Sequence, residues 1–122
     1  MLGHTYFLTP KLIQEDAVKY CKDHGGKPFI PKSEDEFLFY VAVTIEPGNY
    51  RYSWYPINDI KEEGHLVLED GTDYEKASYK LQKWDPIRNN NITSDCVRVN
   101  FFGEGSWLRC HRYQHVLLCQ GN

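Results

Sequence analysis

Apolar residues recur at helical intervals near the start of the chain. One face collects apolar side chains while polar side chains fall largely off it, a pattern typical of an amphipathic helix; the apolar positions are Ile13, Ala17, Tyr20 and Cys21. Thr9 followed by Pro10 predicts the helix start, because a Thr hydroxyl accepts from first-turn amides and Pro fits the first helical position. Gly25 and Gly26 predict its end.

A second helix is predicted from about residue 34 to residue 45. Ser33, with Glu36 three residues later, has the spacing of a capping box, in which each side chain satisfies an amide at the helix start. The apolar residues that follow lie at helical intervals: Phe37, Leu38, Val41 and Ile45. The run from Pro47 to Asn49 closes this helix.

The remainder of the chain has the composition of strands and loops. Four short segments are rich in aromatic or β-branched residues and are predicted as strands: Tyr52–Ile57, Leu66–Leu68, Cys96–Asn100 and His115–Cys119. Pro56 weakens the first of these, since Pro cannot donate to a strand ladder. Helices followed by strands predict an α+β domain.

A long polar stretch between Gly71 and Asp95 separates the predicted strands. It exceeds an ordinary connection in length, and long loops in small domains are usually functional. We therefore expect a ligand to be recognised by the face that this long loop forms.

Length and charge limit the class of protein. A chain of 122 residues fits a single domain over 1–122. The net charge of -3 provides no basic surface for nucleic acid. No run approaches the ~20 apolar residues of a membrane span, and Met1–Pro10 lacks a signal-peptide pattern. We expect a removed leader or neighbouring domain; a cytosolic chain is the alternative.

Four cysteines are scattered along the chain: Cys21, Cys96, Cys110 and Cys119. None forms a Cys-x-x-Cys pair, so the tight spacing of zinc sites is missing. An even number of scattered cysteines in a small domain predicts two disulfides and an oxidising, extracellular compartment. Spacing alone leaves the three alternative pairings open.

Several short motifs occur together in an order typical of one family. Those that carry the resemblance are Ala17–Cys21, Trp54–Asp59, Glu63–Gly64, Asp70–Gly71, Trp84, Asp95–Val97, Gly105–Trp107 and Leu118–Cys119. With them the chain resembles the C-type lectin-like domain from Thr5 to Cys119. The resemblance implies that family's fold of two helices, antiparallel sheets and a long loop region. It also implies disulfides joining Cys21 to Cys119 and Cys96 to Cys110.

The calcium ligands of sugar-binding members are largely replaced. The family's Glu-Pro-Asn or Gln-Pro-Asp triplet corresponds to Asp85-Pro86-Ile87, and its Trp-Asn-Asp triplet to Trp107-Leu108-Arg109. A Glu expected two residues before Cys96 is Ser94. Calcium requires about six to eight oxygen ligands, and Arg109 would repel a divalent ion. The resemblance therefore implies no metal and no cofactor at this position.

The function implied is recognition of an extracellular protein or glycan, by a secreted protein or an ectodomain. Tyr, Phe and Arg anchor interfaces and aromatic rings stack on sugars; with the polar residues of the long loop, the candidate ligand-binding residues are Tyr74, Tyr79, Lys83, Arg88, Asn89, Asn90, Phe102 and Arg109. Core packing is the better expectation for Trp54, Trp84 and Trp107. The sequence leaves the ligand and the oligomeric state open.

A calcium-dependent lectin with atypical ligands is the alternative function. Its oxygens would come from residues such as Asp85, Asn89, Asn90 and Asp95. No enzyme is expected, because no nucleophile is found with a base, and His111 and His115 are interpreted as ordinary histidines. Asn91-Ile92-Thr93 is an N-glycosylation acceptor pattern, consistent with a glycoprotein.

Overall fold

The first helix, α1 (Gln14–Asp23), begins later than Thr9 and Pro10 predict. This computed structural model describes residues 4–45, 52–85 and 94–121. The predicted start is wrong because Thr9 Oγ1 accepts a hydrogen bond from the amide of Leu117 at 3.0 Å and so is committed to the end of the chain. The predicted end is confirmed, since Gly25 has a left-handed φ of 80° just after the helix.

The second helix, α2 (Glu34–Thr44), confirms its predicted bounds to within one residue. Ser33 Oγ accepts from the Glu36 amide at 3.2 Å. The Glu36 carboxylate accepts in turn from the Lys32 amide at 2.9 Å, one residue before the position that an ideal capping box uses. Local hydrogen bonds thus define the start of this helix.

Within the described ranges, eight strands form two sheets. In chain order they are β1 (Tyr6–Leu8), β2 (Gly26–Pro28), β3 (Tyr52–Asn58), β4 (Val67–Leu68), β5 (Lys83–Trp84), β6 (Cys96–Asn100), β7 (Glu104–Leu108) and β8 (Leu118–Gly121). One sheet has the order β1-β8-β2 and the other β4-β3-β6-β7-β5. All pairings are antiparallel except that of β5 with β7. The α+β, C-type lectin-like fold expected from the resemblance is confirmed.

Each of the four predicted strands overlaps a strand of the described chain. The prediction of β6 is confirmed at both ends, and β3 continues through Pro56 to Asn58. The predicted strand His115–Cys119 is wrong at its start, because His115 and Val116 form only isolated bridges before β8 begins at Leu118. Strands β1, β2, β5 and β7 were not predicted.

The two predicted disulfides join distant elements to the core. Cys21–Cys119 links α1 to β8 across a sequence separation of 98. Cys96–Cys110 links β6 to the turn that follows β7. Both pairings implied by the resemblance are confirmed. They pack with the fully buried Trp54, whose indole N–H donates to the Leu12 carbonyl at 2.8 Å.

The larger core cluster joins α2 to strands of both sheets. Its fully buried members include Tyr40, Ile57, Val97 and Val99. The Tyr40 hydroxyl contacts Ser53 and donates to the Trp54 carbonyl at 3.0 Å, so this buried polar group is satisfied. Within the part of the chain that the structure describes, no helix has the length and apolarity to cross a bilayer.

Candidate functional site

Strand β7 separates the predicted ligand-binding residues into two groups. Lys83 of β5 lies opposite Glu104 at the start of β7. Arg109 follows Leu108 at the other end, five residues after Glu104, or ~16 Å at the usual rise of a strand. Tyr79 and Phe102 belong to the first group with Lys83, since all three line one groove. The candidate residues therefore form two surfaces rather than one.

The remaining predicted residues differ in placement. The Tyr74 side chain is only 8% exposed, and its hydroxyl accepts from the Leu81 amide at 2.7 Å. It is a core residue with little surface for a ligand. Arg88, Asn89 and Asn90, and the glycosylation candidate Asn91, lie outside the described residues.

A cationic cavity lies at the turn after β7. Its volume is about 450 Å³, and its lining comprises Ile60, Asp95, Arg109, Cys110, His111 and Arg112. The Arg112 amide donates to the Arg109 carbonyl at 3.4 Å, which closes the turn. The disulfide from Cys110 to Cys96 fixes this turn to the central sheet. Three exposed basic side chains are thus presented from a covalently held turn.

The side chains described at the position of the family's sugar-binding calcium ion match a metal site poorly. Leu108 is 2% exposed and Arg109 is a cation, so neither side chain offers an oxygen ligand. Asp85 Oδ2 accepts from the Ser106 hydroxyl at 3.3 Å. Trp107 stacks on Trp84 with ring centroids 5.9 Å apart, and both are partly buried against the core. Pro86 and Ile87 lie outside the described residues.

An acidic triad, Asp59, Glu63 and Asp95, lies beside the cationic cavity. One carboxylate oxygen from each residue lies within 4.8 Å of the others. Strand pairing creates this proximity, because Asn58 lies opposite Cys96 and the next residue outward on each strand is an aspartate. Asp59 Oδ2 also accepts from the Gly64 amide at 2.9 Å. Asp95 belongs to both the triad and the cavity lining.

Crowded carboxyl groups alter the acidity of the triad. Partial desolvation, followed by the adjacent carboxyls of Asp95 and Asp59, raises the pKa of Glu63 to about 7. Desolvation and contact with Asp59 also raise the pKa of Asp95. Three hard carboxylate oxygens at this spacing fit a divalent cation such as calcium and would supply three of its about six to eight ligands.

Only one member of this triad, Asp95, is predictable from the sequence as a ligand candidate. Asp59 and Glu63 occur in the sequence only as parts of the family motifs. Carboxylates four residues apart in such motifs are a usable signal. Their meeting with Asp95, however, depends on the pairing of β3 with β6.

An aromatic groove occupies the other end of β7. It has a volume of about 210 Å³ and is lined by Glu34, Phe37, Leu38, Val41, Tyr79, Gln82, Lys83, Phe101, Phe102 and Gly103. The rings of Phe37 and Tyr79 stack at 5.3 Å and form part of its lining. Phe102 is 72% exposed. This groove presents mainly apolar side chains.

Comparison with known families identifies the chain. The sequence model described as Lectin C-type domain matches residues 11–120. The chain belongs to the C-type lectin domain family. Domains of this family are recognition modules, generally without enzymatic activity, that are typically extracellular when they contain disulfides.

Several solved structures have the same fold. The mouse scavenger receptor C-type lectin carbohydrate-recognition domain has a TM-score of 0.77 at 19% identity, over 98% of this chain and 89% of that one. The carbohydrate-recognition domain of cow CD23 has a TM-score of 0.74 at 22% identity, over 98% and 88%. Herring type II antifreeze protein has a TM-score of 0.77 at 18% identity, over 98% and 91%. At these identities the likeness concerns the fold alone.

No curated protein matches this C-type lectin domain in sequence. The ligand must therefore be argued from the residues of its own surface.

Proposed function

We propose that this domain recognises an acidic group on an extracellular protein or glycan through its cationic cavity, without a calcium ion between Asp85 and Arg109. The observation that carries the proposal is the grouping of Arg109, His111 and Arg112 around one cavity of about 450 Å³. Arg109 is the predicted ligand-binding residue that lies in it.

The two arginines are suited to binding an anion. Within residues 4–45, 52–85 and 94–121, neither Arg109 nor Arg112 has a carboxylate within ion-pair distance. A guanidinium presents a planar fork of donors that matches a carboxylate, sulfate or phosphate. Two such groups on one closed turn can therefore bind the same oxyanion.

Asp95 does not neutralise the cavity. Its carboxyl group interacts with Asp59 and Glu63 of the acidic triad, where desolvation and contact with Asp59 raise its pKa, so it is directed to the triad and not to the arginines of the cavity. We propose that Arg88, Asn89 and Asn90, which follow Asp85 along the chain, extend the ligand surface, and that Asn91 is glycosylated. A glycan there would favour a protein ligand over a sugar.

A second candidate function is calcium-dependent recognition with ions held by the acidic triad. The observation that favours it is the 4.8 Å grouping of carboxylate oxygens from Asp59, Glu63 and Asp95. The Oδ1 atom of Asp95 is buried and makes no hydrogen bond within the described chain. A bound cation would satisfy this oxygen and remove the repulsion among the three carboxylates.

Binding to an array of sulfated, sialylated and neutral glycans, together with capture of extracellular proteins, tests the proposal. Each assay is run in chelator and in calcium. The proposal predicts retention of acidic ligands in chelator. Arg109→Glu should abolish retention, because it places a like charge beside the bound anion.

Lys76→Glu is the matched control, since it makes the same change of charge at an exposed lysine outside the cavity. It should retain wild-type binding. Equal loss of ligand binding in both variants would show that the effect comes from net charge and not from the cavity. Binding of neutral sugars only in calcium, abolished by Glu63→Gln, would replace the proposal with the second candidate.

A further inference from the structure

The aromatic groove brings three exposed large apolar side chains together on one face. Leu38 is 57% exposed, Phe101 55% and Phe102 72%, and all three line the groove. Contiguous exposed apolar patches mark interaction sites in soluble proteins, whereas scattered apolar residues do not. This face therefore has the character of an interaction surface.

The two exposed rings are held outward by a well-defined turn. The Asn100 side chain accepts from the amides of Phe102 and Glu104 at 2.9 and 3.0 Å, and the Gly103 amide donates to the Asn100 carbonyl at 2.9 Å. Gly103 has a φ of 79°, which favours glycine. Because the turn is fixed, little conformational entropy is lost when these rings contact a partner.

The groove also presents one charge of each sign. Glu34 and Lys83 both line it. In the described part of the chain, neither forms an ion pair within 4.0 Å. The surface thus combines projecting rings, a cavity beside them, one acid and one base.

We propose that a second copy of this chain covers the aromatic groove in a two-fold symmetric dimer. In a two-fold interface both copies use the same patch, so each contact between two different residues occurs twice. The Phe101–Phe102 turn of each copy packs against the groove of the other, and Glu34 of each faces Lys83 of the other. One surface that carries a projecting turn beside a groove, and an acidic beside a basic residue, satisfies this requirement.

This dimer is independent of the proposed ligand site. The cationic cavity lies at the opposite end of β7, and none of its lining residues lines the groove. The dimer would present two cavities and so increase the avidity for a repeated ligand.

Sedimentation velocity over a wide range of protein concentration tests the dimer. The wild type should shift from monomer to dimer as concentration rises. Phe102→Ser should weaken the dimer about a hundredfold or more, because one ring is lost from each copy. Val43→Ser is the control. It removes an exposed apolar side chain of α2 that lies outside the groove, and the variant should dimerise like the wild type.

Exchange of the charges tests the two-fold arrangement itself. Glu34→Lys alone and Lys83→Glu alone each bring like charges together twice and should weaken the dimer about tenfold. The double variant restores opposite charges and should recover wild-type association. A wild type that stays monomeric at every concentration overturns the proposal, as does a double variant no better than the singles. Neither result bears on the proposed ligand site, because binding by Arg109 variants tests that site separately.

Discussion

The Nη1 atom of Arg98 lies 3.2 Å from the Nε2 atom of His115. Arg98 is buried and His115 is partly buried, and the Arg98 guanidinium lies 3.8 Å from the centre of the Tyr52 ring. Burial, followed by the charges of Arg98 and Lys11, lowers the pKa of His115 to about 4. His115 is therefore a neutral imidazole that accepts a hydrogen bond from Arg98, not an ordinary surface histidine.

This pair predicts a pH dependence of stability. In the unfolded chain His115 takes up a proton near its ordinary pKa of 6.5, whereas in the folded domain it resists protonation until about 4. Its contribution is complete above pH 6.5 and is lost as the pH falls from there towards 4. Urea unfolding of the wild type and His115→Asn across this window measures it. An unchanged pH slope in the variant would contradict the assignment.

The two disulfides should differ in their effect on stability. Cys21–Cys119 closes a loop with a separation of 98 residues, and Cys96–Cys110 one of 14. Constraint of the unfolded chain grows with loop length, to about 4.7 kcal/mol for 100 residues against about 3 kcal/mol for 15. Replacing Cys21 and Cys119 with Ala should therefore lower the free energy of unfolding more than the same change at Cys96 and Cys110. The reverse order in guanidinium titrations would contradict this.

The His65 imidazole contacts two carboxylates, one from Glu62 in the loop before β4 and one from Asp73 after β4. Its Nδ1 lies 3.1 Å from Glu62 and its Nε2 2.5 Å from Asp73. Asp73, followed by Glu62, raises the pKa of His65 above 6.5. Stabilisation by these exposed contacts of His65 is present below pH 6.5 and is lost as the pH rises through the raised pKa. An NMR titration should show the pKa falling in Asp73→Asn; an unchanged value would count against the contact.

Gly105 allows Trp84 to pack against β7. A Cβ atom there would lie 2.8 Å from Leu81 Cδ1 and 3.1 Å from the Trp84 ring. Gly105→Ala should cost about 1–3 kcal/mol and change tryptophan fluorescence. Gly25→Ala is the control: its φ of 80° is unfavourable for Ala, but no atom lies within 4 Å. It should cost about 1 kcal/mol and leave the fluorescence unchanged; equal spectra in both variants would contradict the packing.

Local interactions made part of this fold predictable from sequence. The start of α2 depends on Ser33 and Glu36, three residues apart, and was predicted correctly. The start of α1 was not, because Thr9 bonds to Leu117, 108 residues away. The same distinction applies to the site: the replaced calcium ligands are visible in the sequence, whereas the acidic triad depends on the pairing of Asn58 with Cys96.

Crystals of the domain soaked in calcium and a mixture of simple sugars test the central claim most directly. The account predicts that no ion is coordinated between residues 85–87 and 107–109, since Leu108 is buried and Arg109 is cationic. Electron density for an ion held by oxygen ligands between these two segments would contradict it.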